Sequence, residues 1–206
     1  MSRGYASPMT IERLGLLGAV FGTLLAASGC LSPVKSSPQG DTAQAAVDRL
    51  LLAKETITQW SNFSALAARR VIEKYGVPNE VRYNRLVWNR NGPWRRTVVR
   101  DVRPAYEVGE EVGVIEQTID YSLSPTQAVR VAAFDDRVTF NPRVRELSAR
   151  SDQEERNFLR LNLAHDVASG SLRPAQARDM YARTLSFEEA GKSSPYLSGL
   201  MFVPQP

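Results

Sequence analysis

Apolar positions recur with two different periods along the chain, and the changes of period mark its elements. From Asp41 onward Ala46, Val47, Leu50 and Leu51 return at helical spacing, and Phe63, Leu66, Ala67 and Val71 share one face of a second helix over residues 61–75. Ser61 or Asn62 serves as the N-cap of that helix, while Gly76 and Pro78 stop it. The period then shortens. Residues 81–88 and 94–102 read as two strands joined by a five-residue hairpin loop, Asn89 to Pro93. Residues 112–123 read as a third strand. Ser124-Pro125 opens a short helix to about residue 133, and residues 137–140 form a fourth strand after the Asp135-Asp136 turn. Ser151-Asp152-Gln153-Glu154 has the spacing of a capping box, in which a serine and a glutamate three residues on satisfy each other's backbone N–H groups. The helix behind it is apolar around most of its circumference, from Phe158 to Ala168, and is expected at the centre of the fold. Pro174 starts a last helix, and residues 200–203 read as an edge segment. The order predicts an α+β fold: a small antiparallel sheet packed against several helices.

Composition narrows the class. The chain has 206 residues, 43% of them hydrophobic, which is enough apolar content to fill one core and too much for a disordered chain. A single Cys and a single His exclude a disulfide scaffold and a cysteine zinc cluster. No metal site or cofactor is expected. The net charge of +4 calls for no nucleic-acid partner. Of 26 basic residues only four are lysines (Lys35, Lys54, Lys74 and Lys192). The arginine bias fits either GC-rich coding or a surface that grips phosphate and carboxylate in a planar fork.

The first thirty residues follow another pattern. Arg3 and Arg13 precede a charge-free apolar run over residues 14–27, too short to span a bilayer, and small residues lead into Cys30. The segment Leu25-Ala26-Ala27-Ser28-Gly29-Cys30 resembles the lipobox of bacterial lipoproteins. That resemblance implies a signal peptide over residues 1–29 that is cut before Cys30. It also implies diacylglycerol on the Cys30 thiol and a further acyl chain, palmitate for example, on the new amino terminus. Each buried methylene contributes about 0.8 kcal/mol, so two or three chains hold a protein on a membrane stably. Residues 30–40 read as a lipidated tether rich in Ser and Pro, reaching at most roughly 30 Å. Residues 41–206 read as a single α+β domain. Leu31 stands where an Asp would resemble an inner-membrane retention signal, which favours the outer membrane, facing the periplasm, over the inner membrane.

Candidate chemistry concentrates in the hairpin. Residues 82–103 carry seven arginines against one acid, Asp101, with aromatic residues interleaved. Arg85, Trp88, Trp94, Arg96 and Arg100 are the candidate binding residues, because guanidinium forks and aromatic faces together hold anionic or sugar-like ligands. The competing reading places the tryptophans in the core and the arginines in solvent. Asn162, His165 and Asp166 lie at i, i+3 and i+4 of the central helix, where a general base or a satisfied polar patch are the alternatives. Two further resemblances concern the folded part. Tyr75-Gly76-x-Pro78, after paired helices and before a hairpin, resembles the small lipoproteins of outer-membrane barrel assembly. The blocks Leu86-Val87-Trp88, Gly92-Pro93-Trp94 and Glu146-Leu147-Ser148-Ala149-Arg150 resemble a pattern of bacterial proteins to which no activity attaches. The sequence therefore predicts a membrane-anchored envelope lipoprotein whose domain binds or scaffolds an envelope protein or an anionic envelope ligand. An envelope hydrolase or a sugar-binding module with an unrecognised site is the alternative.

Overall fold

The computed structural model describes residues 42–103 and 112–205, within one compact unit, Gly40–Pro206. Cys30, the signal segment and the tether lie outside the described residues. The fold is α+β, with six helices and a six-stranded antiparallel sheet among the described residues. Helices α1 (Ala43–Ile57) and α2 (Asn62–Tyr75) come first, capped by the side chains of Thr42 and Ser61. Strands β1 (Glu80–Arg82), β2 (Arg85–Asn91), β3 (Trp94–Arg100) and β4 (Ile115–Asp120) follow. Helix α3 (Pro125–Ala132), strands β5 (Val138–Asn141) and β6 (Glu146–Ser151), and helices α4 (Glu154–Ser169), α5 (Pro174–Glu189) and α6 (Pro195–Ser198) complete the chain. The sheet order is β1-β2-β3-β4-β6-β5.

Several expectations are corrected. The strand over residues 81–88 is two strands folded on each other, because Tyr83 and Asn84 make a tight turn between the partners Arg82 and Arg85. The hairpin loop has two residues, Gly92 and Pro93, between the partners Asn91 and Trp94. Gly92 has φ +59° and lies under Tyr75, where an added Cβ would sit 3.0 Å from the ring, so both backbone and space demand glycine. Strand β6 occupies the interior of the sheet in a stretch for which no strand was expected. The capping box forms at Ser124 and Gln127 of α3, not at Ser151 and Glu154. Ser151 is committed to β6, where it pairs with Ile115, and its hydroxyl turns onto the backbone of Gln153. The tail over residues 200–203 is not a strand; Gln205 makes one parallel bridge to Tyr121.

Register fixes the two faces of the sheet. Leu86, Trp88, Thr97, Val99, Ile115, Gln117, Leu147 and Ala149 point to one face, and the described helices bury their apolar side chains there. The core on that face has two clusters. One joins α1 and α2 to Leu86, Trp88, Val99 and Ile115; the other joins α3, α4 and α5 to Trp94, Ile119 and Leu147. Between them runs a row of inward polar residues, with Thr97 and Gln117 fully buried. The opposite face is charged along its length.

Candidate functional site

The polar row converges on Glu154, the first residue of α4, which is 8% exposed. Four elements aim donors at its carboxylate. Lys74 Nζ at the end of α2 donates to Oε2 at 2.5 Å, and the neighbouring Tyr75 hydroxyl donates to Oε1. Trp94 Nε1 of β3 and Gln117 Nε2 of β4 donate to the same Oε1 at 2.5 and 3.0 Å. Gln117 Oε1 in turn accepts from Asn157 Nδ2 at 3.0 Å, one turn further along α4. Burial pushes the Glu154 carboxyl up, but the hydrogen bonds from Lys74, Tyr75 and Trp94 together hold it below the usual carboxylate range. Burial, followed by the hydrogen bond to that carboxylate, pushes the Tyr75 phenol well above its ordinary value.

Glu154 closes the floor of a cleft of about 410 Å³ whose walls carry Arg70, Glu73, Lys74, Asp152 and Glu155. Three of the four donors meet on Oε1, and only Lys74 reaches Oε2. The carboxylate thus ties α2, β3, β4 and α4 together. Sequence reasoning did not find Lys74, Tyr75, Gln117 or Asn157. One signal was present: Gln117 stands between Ile115 and Ile119 at the inward positions of a strand, where an amide needs buried partners.

The hairpin candidates are divided between the faces. Arg85, Arg96 and Arg100 lie together on the charged face, 46%, 35% and 40% exposed at their side chains. Trp88 and Trp94 are each 1% exposed on the helix side. Trp88 Nε1 donates to the Gly76 carbonyl at 3.0 Å, and Trp94 stacks on Phe158 at 4.8 Å. The tryptophans are therefore core side chains and offer no ring to a ligand. Strand alternation turns Trp88 inward, whereas Trp94, which shares the parity of the outward Arg96 and Arg100, is buried against Phe158 at the start of β3.

The arginines are already engaged with acids of the same face. Glu80 accepts from Arg82 and Arg85 at 2.8 and 3.1 Å, and Glu116 lies 3.5 and 3.2 Å from Arg100 and Arg150. Glu146 is clamped by Arg95 and Arg96 at 2.6 and 2.9 Å, and Arg95 also reaches Asp120 at 2.6 Å. Six arginines thus share four carboxylates, an excess of two positive charges within the group. Each guanidinium has five N–H donors, so the shared acids leave donors facing outward.

The central-helix triad serves the chain's end. Asn162 donates to the carbonyls of Tyr196 and Gly199 at 3.1 and 2.8 Å and accepts from the Met201 N–H. His165 stacks on Phe202 at 4.3 Å and hydrogen-bonds the Tyr121 hydroxyl through Nδ1 at 2.7 Å. Asp166 accepts from the Tyr196 hydroxyl, whose pKa is pushed up to about 12 by burial and by that bond. These residues form a satisfied polar patch that fastens the last segment to α4. Among the described residues no group of three or more His, Cys, Asp or Glu side chains could hold a metal ion, and no helix is long and apolar enough to cross a membrane.

The chain was compared with family models, curated proteins and solved structures, and none of them matches.

Proposed function

We propose that this protein is a bacterial lipoprotein, anchored through acyl chains on Cys30 to the periplasmic side of the outer membrane, whose α+β domain is a binding module for an anionic envelope component. The anchor rests on one observation: the only cysteine of the chain follows a basic flank, an apolar run and the small residues Ala26 to Gly29. The binding role is supported by the sheet face on which Arg85, Arg96 and Arg100 are held in place by shared acids. Pre-positioned guanidiniums lose little rotamer freedom when they take a further carboxylate or phosphate.

The anchor is tested by fractionating cells that make the Cys30→Ser variant. The variant is expected in the soluble fraction and the parent chain in the membrane fraction; a variant that stays with the membrane contradicts the proposal. The binding role is tested by reversing Arg85, Arg96 and Arg100 to Glu and measuring retention on anionic vesicles and on peptidoglycan. Loss of retention with an intact circular dichroism spectrum supports it, and unchanged retention contradicts it.

A further inference from the structure

Strand β5 ends the sheet, and its outer edge is open. Arg150 donates its N–H to the Arg137 carbonyl at 3.1 Å, and these two residues lie opposite each other in the β5–β6 register. They are therefore a hydrogen-bonded pair, and the two-residue period places the next such pairs at Thr139 and Asn141. The backbone groups of Val138 and Phe140 consequently point away from β6. Asp135 takes the Val138 N–H at 3.2 Å, which leaves the Phe140 N–H, the Phe140 C=O and the Val138 C=O along the edge.

Beside this edge lies a groove of about 670 Å³ between β5 and α3, lined mostly by apolar side chains. Leu123, Ala128, Val131, Val138, Phe140 and Pro142 line it. Arg137, half-buried, and Arg143, exposed, flank the strand with no ion-pair partner among the described residues, and Asp136 is the one acid lining the groove. A free strand edge recruits another extended chain, and side chains beside it set which one. In the register centred on Phe140 the charges work against a second copy of this chain. Two β5 strands paired antiparallel about Phe140 would set Arg137 opposite Arg143, a like-charge contact directly across the ladder.

We propose that the edge of β5 and the α3–β5 groove bind an extended, acidic segment of a partner protein by strand addition. One apolar side chain of that segment fills the groove, and carboxylates on either side of it meet Arg137 and Arg143. This surface is distinct from the arginine face around Glu146 and does not depend on the anchor at Cys30.

The test uses the full-length chain in non-ionic detergent and a fluorescein-labelled probe, acetyl-Glu-Glu-Val-Phe-Val-Glu-Glu-amide, followed by fluorescence polarisation. Saturable binding with a Kd below about 100 μM is expected. The same peptide with every Glu replaced by Lys should bind at least about tenfold more weakly, and the double variant Arg137→Glu with Arg143→Glu should invert that preference. N-methylation of one alternating set of peptide amides should abolish binding, while methylation of the other set should leave it within about twofold, because only alternate amides face the partner strand. Equal binding of the acidic and basic peptides overturns the proposal. So does equal sensitivity to the two methylation sets, or no saturation at about 1 mM. A dimer of the chain that the acidic peptide dissociates would assign the edge to a second copy and overturn it as well.

Discussion

Glu154 and Glu146 are carboxylates on opposite faces of one sheet, 8% and 7% exposed, and they are held in different ways. Glu154 takes three neutral donors and one lysine, from α2, β3 and β4, across gaps of up to 80 residues in sequence. Glu146 takes two arginines, both from one end of β3, whose side chains remain 41% and 35% exposed. The first arrangement adds three neutral donors to its carboxylate, and its loss strands the donors of two buried side chains, Trp94 and Gln117. Both arrangements leave their cations in water, Lys74 with 52% of its side chain exposed, where screening and side-chain freedom reduce what an ion pair is worth. On the helix side, neutral donors from three elements gather on one carboxylate. On the open side, the contacts are ion pairs between acids and partly exposed arginines.

The largest effect expected from this contrast is on stability. Glu154→Ala should cost about 2–4 kcal/mol in urea unfolding, because the buried Trp94 and Gln117 lose their common acceptor together, and Tyr75 with them. Trp94→Phe keeps the stack on Phe158 and removes one N–H, and should cost about 1–2 kcal/mol. A loss as small as that from Glu154→Ala would show that the donors find water instead.

Acid sharpens the same contrast. The Glu154 carboxyl lies below its ordinary value of 4.5 in the folded state, so its contribution is present above that pH and is lost as the pH falls through the lower, folded value. The unfolding midpoint of the parent chain should therefore fall below pH 4.5 more steeply than that of Glu154→Gln. Parallel curves would mean that other carboxylates govern acid unfolding. Tyr75 works from the alkaline side. Its phenol lies above its ordinary value of 10.0 in the fold, so its contribution is complete below that pH and is lost as pH rises past it. Tyr75→Phe should flatten the alkaline limb.

The smallest effects belong to the open face. Arg96→Ala should change stability by less than about 1 kcal/mol, and added salt should shrink the difference further. A salt-insensitive cost comparable with that of Glu154→Ala would erase the distinction between the two faces.

The physical reasons for what the sequence could and could not reveal differ by feature. Helices α1 to α5 were legible through local punctuation, such as Ser61 and Gly76 around α2, Ser124-Pro125 before α3 and Gly170 after α4, whereas the short α6 lies in a tail that reads as irregular. The α+β class followed from the order of those helices and the strand-like stretches between them. The Tyr83-Asn84 turn was missed because it interrupts a β-rich run without a glycine or proline. Strand β6 was missed because its outward residues are Glu146, Ser148 and Arg150, which give a short stretch a mixed, polar look. The arginine face was visible as composition, whereas its acids were not, since Glu116, Asp120 and Glu146 reach it only through strand pairing. Glu154 was noticed for the wrong reason. Ser151-x-x-Glu154 has capping-box spacing, and only the pairing of Ser151 with Ile115 across the sheet removes the serine from that role.

The proposed anchor rests on Cys30, and mass spectrometry of the protein extracted from its native membrane tests it most directly. A chain whose first residue is Cys30, carrying the mass of a diacylglyceryl thioether and a further acyl group, is the predicted result. A chain that retains residues 1–29, or one that starts elsewhere with an unmodified Cys30 thiol, would contradict the proposed anchor.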